Sequence, residues 1–233
     1  MQCIRSEFSS GVSMRRSADV SAGKASLADR AYEILRHRLI MLDIAPGDAI
    51  NEAALSQELE VGRTPIREAL KRLESDHLVV SFPRRGTFAS TVDLTDLSTI
   101  SEMREVLEPV AARKAARNLT PERRREFEAT IAELRELEAT DDQRTLMERD
   151  LDVHRLIYRS VDNPHLMETL VRLDDLATRI WCLVIPRIPD LIKHIREHID
   201  LLEAILDGNE DSVAELAGEH VRDFDRTLRT ALG

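Results

Sequence analysis

From Leu94 to the end of the chain, apolar residues recur every three or four positions and no run alternates convincingly with a period of two, so this part reads as helix throughout. Successive helices are predicted at Leu94–Asn118, Pro121–Ala139, Gln143–Val161, Pro164–Val184, Ile188–Leu206 and Glu210–Leu232. Thr120-Pro121 and Asn163-Pro164 open two of them: a side-chain oxygen caps free N–H groups, and proline sacrifices no bond at the first helical position. Gly208 closes another, because glycine accepts the left-handed backbone that ends helices.

The pattern before Leu94 is different. Asn51 caps a short helix over Glu52–Leu59, with Ile50 and Leu55 placed to clasp its start. Only Glu60, Val61 and Gly62 separate it from a second helix, for which Thr64 is the predicted N-cap and Pro65 the first helical residue. Ile66, Leu70 and Leu73 define that helix's buried stripe, leaving Arg63, Thr64, Arg67 and Lys71 off it. Two β-prone runs follow, Val79–Phe82 and Thr87–Ser90, flanking Pro83-Arg84-Arg85-Gly86 as a hairpin tip. The predicted fold is mainly α: an N-terminal winged helix-turn-helix of three helices plus a β-hairpin wing, followed by an all-α antiparallel helical bundle.

Arginines one helical turn apart are by themselves an ordinary solvated face. Here helix, short turn, helix and basic hairpin come in order, which fits a DNA reader. The second helix enters the major groove N-terminus first, where guanidinium groups bridge guanine O6 and N7, and the wing reaches phosphates or the minor groove. Residues Leu27 to Thr91 resemble the winged helix-turn-helix of the GntR family of bacterial transcription regulators, FadR-like branch. Ile44-Ala45-Pro46-Gly47, Arg63-Thr64-Pro65-Ile66-Arg67-Glu68-Ala69-Leu70 and Arg85-Gly86-Thr87-Phe88 carry the likeness. The resemblance implies DNA contacts from Arg63, Thr64 and Arg67, with Lys71 on the same face, and from Arg84, Arg85 and Gly86 at the wing. Glu60 stands where the family usually has glycine, Gly62 where it has serine or threonine, and Ala53 where some members have an arginine.

Composition then changes the picture. The 233 residues suffice for two domains, and no apolar run approaches the length of a membrane span. A net charge of -10 opposes binding to a DNA polyanion. Its distribution removes the conflict: residues 1–90 carry 13 Lys and Arg against 12 Asp and Glu, and the remainder carries 20 against 31. The acidity belongs to the helical part, which would be repelled from DNA and so leave contact to the reading head. Residues 1–26 are expected to be a flexible arm, 27–92 the DNA-binding domain and 93–233 the helical domain. Cys3 and Cys182 are the only cysteines, too few for a disulfide framework, and a reducing cytoplasm fits.

Polar residues interrupt the apolar stripes of the helical domain. Asp150 and His154 fall on the stripe of Leu146, Ile157 and Val161; Leu191, Ile195 and Leu202 bracket His198; Val213, Leu216, Phe224 and Leu228 bracket His220. Left unpaired, such groups cost several kcal/mol for the charged member and roughly 1 to 3 kcal/mol for each neutral one. A single inward histidine is usually a hydrogen-bonded core residue. Four such groups on one inward surface favour a divalent metal, zinc first, with nickel, iron or manganese as alternatives. His194 lies nearer the edge of its stripe, and His37, His77 and His165 lack comparable partners.

Residues Thr95 to Thr230 resemble the FCD ligand-sensing domain of FadR-like regulators, through Asp150 to His154, Asn163-Pro164, Glu197-His198 with Leu202 to Ile205, and Glu219-His220. The resemblance implies that Asp150, His154, His198 and His220 hold a metal inside the bundle, with open positions for a small carboxylate effector. Arg104 matches a family arginine facing that pocket; the alternative for it is a surface ion pair with Glu108, one turn away. The leading functional expectation is a cytoplasmic homodimeric regulator binding a pseudo-palindromic double-stranded operator and sensing an organic acid. A regulator for which the ion itself is the signal and a metal-dependent hydrolase are the competing readings, the latter without a recognisable general base.

Overall fold

The computed structural model describes residues 26–138, 142–188 and 190–232. Of the expected N-terminal arm, 1–26, only Ser26 lies among them; its hydroxyl accepts from the Asp29 amide and the Asp29 carboxylate accepts from the Ser26 amide, a reciprocal cap that starts α1 (Leu27–Ile40). Helix α1 packs Ala31, Leu35 and Leu39 towards the buried face of α3 (Arg63–Ser75), made of Ile66, Ala69, Leu70 and Leu73. Between them α2 (Glu52–Glu58) begins where the Asn51 side chain accepts from the Ala53 and Ala54 amides at 3.1 and 3.0 Å.

The start of α3 corrects the sequence expectation. Its N-cap is Gly62, without a side-chain cap, and the helix begins at Arg63 rather than after Thr64. Proline tolerates the whole first turn, whose N–H groups have no partner inside the helix, so Pro65 did not fix the boundary. Glu60, in the turn before it, has a positive φ of 54°, the conformation for which glycine is best suited.

The wing is a two-stranded antiparallel sheet, β1 (Val79–Phe82) with β2 (Gly86–Ala89), paired Val79 to Ala89 through Phe82 to Gly86. Gly86 takes a φ of 100°, and Arg84 a φ of 63°, which turns the chain within the tip. Ala49 bridges to Phe88 and ties the hairpin to the chain before α2.

The helical part consists of α4 (Asp96–Arg117), α5 (Pro121–Glu136), α6 (Gln143–Arg159), α7 (Pro164–Val184), α8 (Leu191–Asp207) and α9 (Glu210–Leu232). Thr120, Asn163 and Gly208 cap as the sequence predicts, Gly208 at a φ of 72°. Helix α4 starts two residues later than expected, because the Asp93 carboxylate accepts from the Thr95 amide and hydroxyl and turns the chain first. The expected start of α8 at Ile188 also shifts. A 3₁₀ turn, Ile185–Arg187, follows α7, and Ile188 is extended at a φ of -91° and ψ of 115°. It precedes Pro189 in the sequence, and a residue before proline avoids helical backbone. Helix α4 packs along α9 and α7, and α8 lies against α9, α5 and α6. This arrangement surrounds one interior. No helix among the described residues is long and apolar enough to cross a membrane.

Candidate nucleic-acid interface and metal centre

Arg63, Thr64, Arg67 and Lys71 are all exposed on α3, because the helix commits its opposite face to Ile66, Ala69, Leu70 and Leu73. Arg84, Arg85 and Gly86 are exposed at the wing tip. The two groups meet: Arg63 at the start of α3 and Gly86 and Thr87 of β2 line one cleft of about 420 Å³ with Asn51, Glu52 and Ala53 of the α2 entry. Arg67 donates to Glu52 at 2.8 Å, so its guanidinium is held beside the cleft. Arg85 lies over the Phe82 ring at 5.6 Å. Arg72 is committed elsewhere, bound to Asp29 and lying over the Tyr32 ring.

Deep in the helical part, α6, α8 and α9 bring Asp150, His154, His198 and His220 together, with one potential ligand atom from each within 4.8 Å of all the others. All four are buried, at 6% exposure or less. The helical spacing explains this directly: Asp150 and His154 are one turn apart on one face, and each of the other helices contributes from its apolar stripe. His198 Nε2 is 3.3 Å from His154 Nε2 and 3.8 Å from Asp150 Oδ1.

The outer nitrogens are held. His198 Nδ1 meets the Ile195 carbonyl at 3.1 Å, and His154 Nδ1 meets the Tyr158 hydroxyl at 3.2 Å, which leaves each Nε2 facing inward. Tyr158 in turn donates to Glu108 at 2.9 Å. Such outer hydrogen bonds orient imidazoles as ligands. The inner atoms tell the opposite story: Asp150 Oδ1 and both ring nitrogens of His220 have no hydrogen-bond partner among the described residues. Buried polar atoms without partners are costly, and a cation would satisfy the Asp150 oxygen and the acceptor nitrogen of His220 at once.

Electrostatics points the same way. Burial, reinforced by Arg104 and the neighbouring imidazoles, holds His154 well below the usual histidine range. Burial pushes His198 down to about 3 and holds His220 well below its ordinary value. The imidazoles are therefore neutral near pH 7, the form that binds metal. Burial also raises Asp150, against the pull of His194 and Arg104, so the carboxylate lacks enough positive charge around it.

Residues 27–89 match the "Bacterial regulatory proteins, gntR family" and residues 99–223, more than half of the chain, match the FCD domain. The chain belongs to the GntR family of transcription regulators. It is 25% identical over 201 residues to the HTH-type transcriptional repressor RspR of Escherichia coli, covering 85% of this chain and 87% of that protein. It is 29% identical over 190 residues to the transcriptional regulator McbR of the same species, covering 78% and 81%. The solved structure of E. coli McbR/YncC superposes with a TM-score of 0.78 at 23% identity, covering 89% of this chain and 99% of that one, which shows a shared fold. The family is one of DNA-binding regulators, not enzymes.

In this GntR regulator a chain of charges runs from the Asp150–histidine cluster to the helix-turn-helix head. Arg104 on α4 is buried; its Nη2 lies 3.5 Å from His154 Nε2 and 3.4 Å from Asp174, and its Nε donates to Glu108 at 2.6 Å. The ion pair of Arg104 with Glu108 exists, but it is buried inside the bundle instead of lying on its surface. Asp174 is 3.5 Å from Arg155, which also binds Asp175. Asp175 accepts both Nε and Nη2 of Arg36, on α1 of the head, at 2.6 and 2.9 Å. Arg179, one turn further along α7, donates to the Ser90 hydroxyl and carbonyl at 2.6 and 2.8 Å, just after the wing. Burial pushes Asp174 up to about 7 despite Arg155 and Arg104.

Sequence reasoning undervalued several of these residues. His194, placed near the stripe's edge, is buried; its ring stacks on His220 with centroids 4.4 Å apart, and its Nε2 lies 3.9 Å from Asp150 Oδ1. The stripe of α8 is wide enough to include it. Tyr158, one turn after His154, and the acidic pair Asp174-Asp175 between the apolar residues Leu173 and Leu176 were visible signals that went unused. His37, His77 and His165 are exposed and lie outside the cluster.

Proposed function

We propose that this regulator binds a divalent cation, zinc first among the alternatives, through Asp150, His154, His198 and His220, and that a small carboxylate effector joins it there to alter operator binding. The observation that carries this reading is that Asp150 Oδ1 and the His220 ring, buried and partnerless, lie with His154 and His198 in one group offering one ligand atom each. When bound, the cation supplies a positive charge and open coordination positions at that point. Arg104, beside His154, is placed to receive a carboxylate, but its fork already engages Glu108 and Asp174. An effector that draws Arg104 from Asp174 alters a carboxylate that shares Arg155 with Asp175 and, through it, Arg36 of the head. Two arrangements of that kind, bound unequally by the effector, are what allostery requires.

On this reading residues 27–92 are the DNA-binding unit and 93–233 the sensing and dimerisation unit of a FadR-like homodimer acting as a repressor in the cytoplasm. Arg63, Thr64, Arg67 and Lys71 face the major groove of a pseudo-palindromic operator, and Arg84, Arg85 and Gly86 approach its backbone or minor groove. The exposure of all seven, with Arg63 and Gly86 lining one cleft, supports the assignment. The test is operator binding by chelator-stripped protein, alone, with zinc, and with zinc plus a series of small carboxylates. Affinity is expected to change when both are present. Affinity that follows zinc alone would make the ion the signal and remove the effector from the account.

A further inference from the structure

A second group of ligands adjoins the first. His194, Glu197 and His220 each offer an atom within 4.8 Å of the others, and His220 belongs to both groups. His194 is buried, its Nδ1 3.6 Å from the Glu197 carboxylate and its partnerless Nε2 on the other side, 3.9 Å from Asp150 Oδ1 of the inner set. The two groups differ in access. Every residue of the inner set is buried, whereas the Glu197 side chain keeps 34% of its surface exposed and lines an open groove with Asp190, Lys193, Arg196 and Asp200.

Both nitrogens of His220 lack hydrogen-bond partners, so one ring can serve either group. Serving both at once would require a doubly deprotonated imidazole bridging two divalent cations held close together, and their repulsion in a low-dielectric interior is severe. One ion at a time is the economical solution. We propose that His194, Glu197 and His220 form an outer station at which a divalent cation sheds water and from which it passes to the inner set, His220 remaining a ligand on both sides of the transfer. This rests on the inner metal centre proposed above. It gives a role to a fourth imidazole that the inner set does not use, and to a half-exposed carboxylate next to it. Besides metal coordination, the single ring proton of His220 moves from the nitrogen that takes up the ion to the one that releases it, relayed by a water the ion sheds, so that no net proton is gained or lost.

Cobalt(II), whose visible absorption reports its ligands, is the probe, added to metal-stripped full-length protein with uptake followed in time and final stoichiometry measured after equilibration. Glu197→Gln is expected to reach the parent's stoichiometry but to take up cobalt about tenfold more slowly or worse, on the scale by which a placed charge speeds association. Asp200→Asn, which removes an acid from the same groove but not from the station, is expected to keep the parent's rate. The pair His154→Ala and His198→Ala is expected to retain weak cobalt binding that Glu197→Gln then abolishes; should that variant not fold, the uptake rates decide alone. Equal rates for Glu197→Gln and parent, or equal slowing by Asp200→Asn, would overturn the station while leaving the inner centre intact. A parent that binds no cobalt would instead refute the inner centre, and the station with it.

Discussion

The reading head and the helical domain place their chemistry in opposite environments. On the head, seven candidate contact residues are exposed, and the fold is held by a separate apolar face of α3. In the helical domain the functional groups occupy positions where apolar side chains would pack, and several of their atoms have no partner. Function on the head therefore costs the fold little. The function proposed for the bundle rests on a local instability, the unpartnered buried atoms, that a bound ion would relieve. The two are joined along α7, where Asp175 holds Arg36 and Arg179 holds Ser90.

The sharpest way to break this contrast is metal loading. An ion present at a thousand times its Kd is expected to stabilise the helical domain by about 4 kcal/mol, and His198→Ala to remove most of that gain. Thermal unfolding with and without zinc measures it, and a parent indifferent to zinc would erase the distinction. Next in size is the junction. Asp175→Ala leaves Arg36, a mostly buried guanidinium, without its bidentate partner and is expected to cost about 3 kcal/mol of stability. The same variant is expected to bind operator independently of the pocket's state, read by titration with and without ligand. On the head, Arg63→Ala or Arg67→Ala is expected to cost about 1 to 3 kcal/mol at the operator with no change in melting temperature. A parallel fall in stability would show that these side chains hold the fold. The smallest effect concerns Glu60: glycine there relieves the left-handed backbone and is expected to stabilise the head by about 0.5 to 1 kcal/mol in chemical denaturation.

The same contrast explains what the sequence made legible. The head's signals are local: Asn51 caps α2, a three-residue turn follows, and the wing's paired runs flank the basic tip, so order along the chain nearly equals arrangement in space. One local detail failed, the cap of α3, because proline is compatible with any residue of a helix's first turn and Gly62 offers no side chain to mark the start. The buried cluster of Asp150, His154, His198 and His220 was legible because each helix carries its own period, which turns a polar residue on an apolar stripe into a statement about the interior. That logic finds residues at stripe centres and misjudges edges, hence His194. It also says nothing about which helix faces which, so the contacts of Arg104 with Asp174 and of Arg36 with Asp175, 139 residues apart, required coordinates.

The claim that partnerless imidazoles and a carboxylate exist to hold a cation is tested most directly by crystal diffraction from metal-loaded protein, with data collected on both sides of the zinc absorption edge. The account predicts one anomalous peak about 2.0 to 2.2 Å from a carboxylate oxygen of Asp150 and from one nitrogen each of His154, His198 and His220. An interior filled only by water hydrogen-bonded to those atoms, with no anomalous signal, would contradict it.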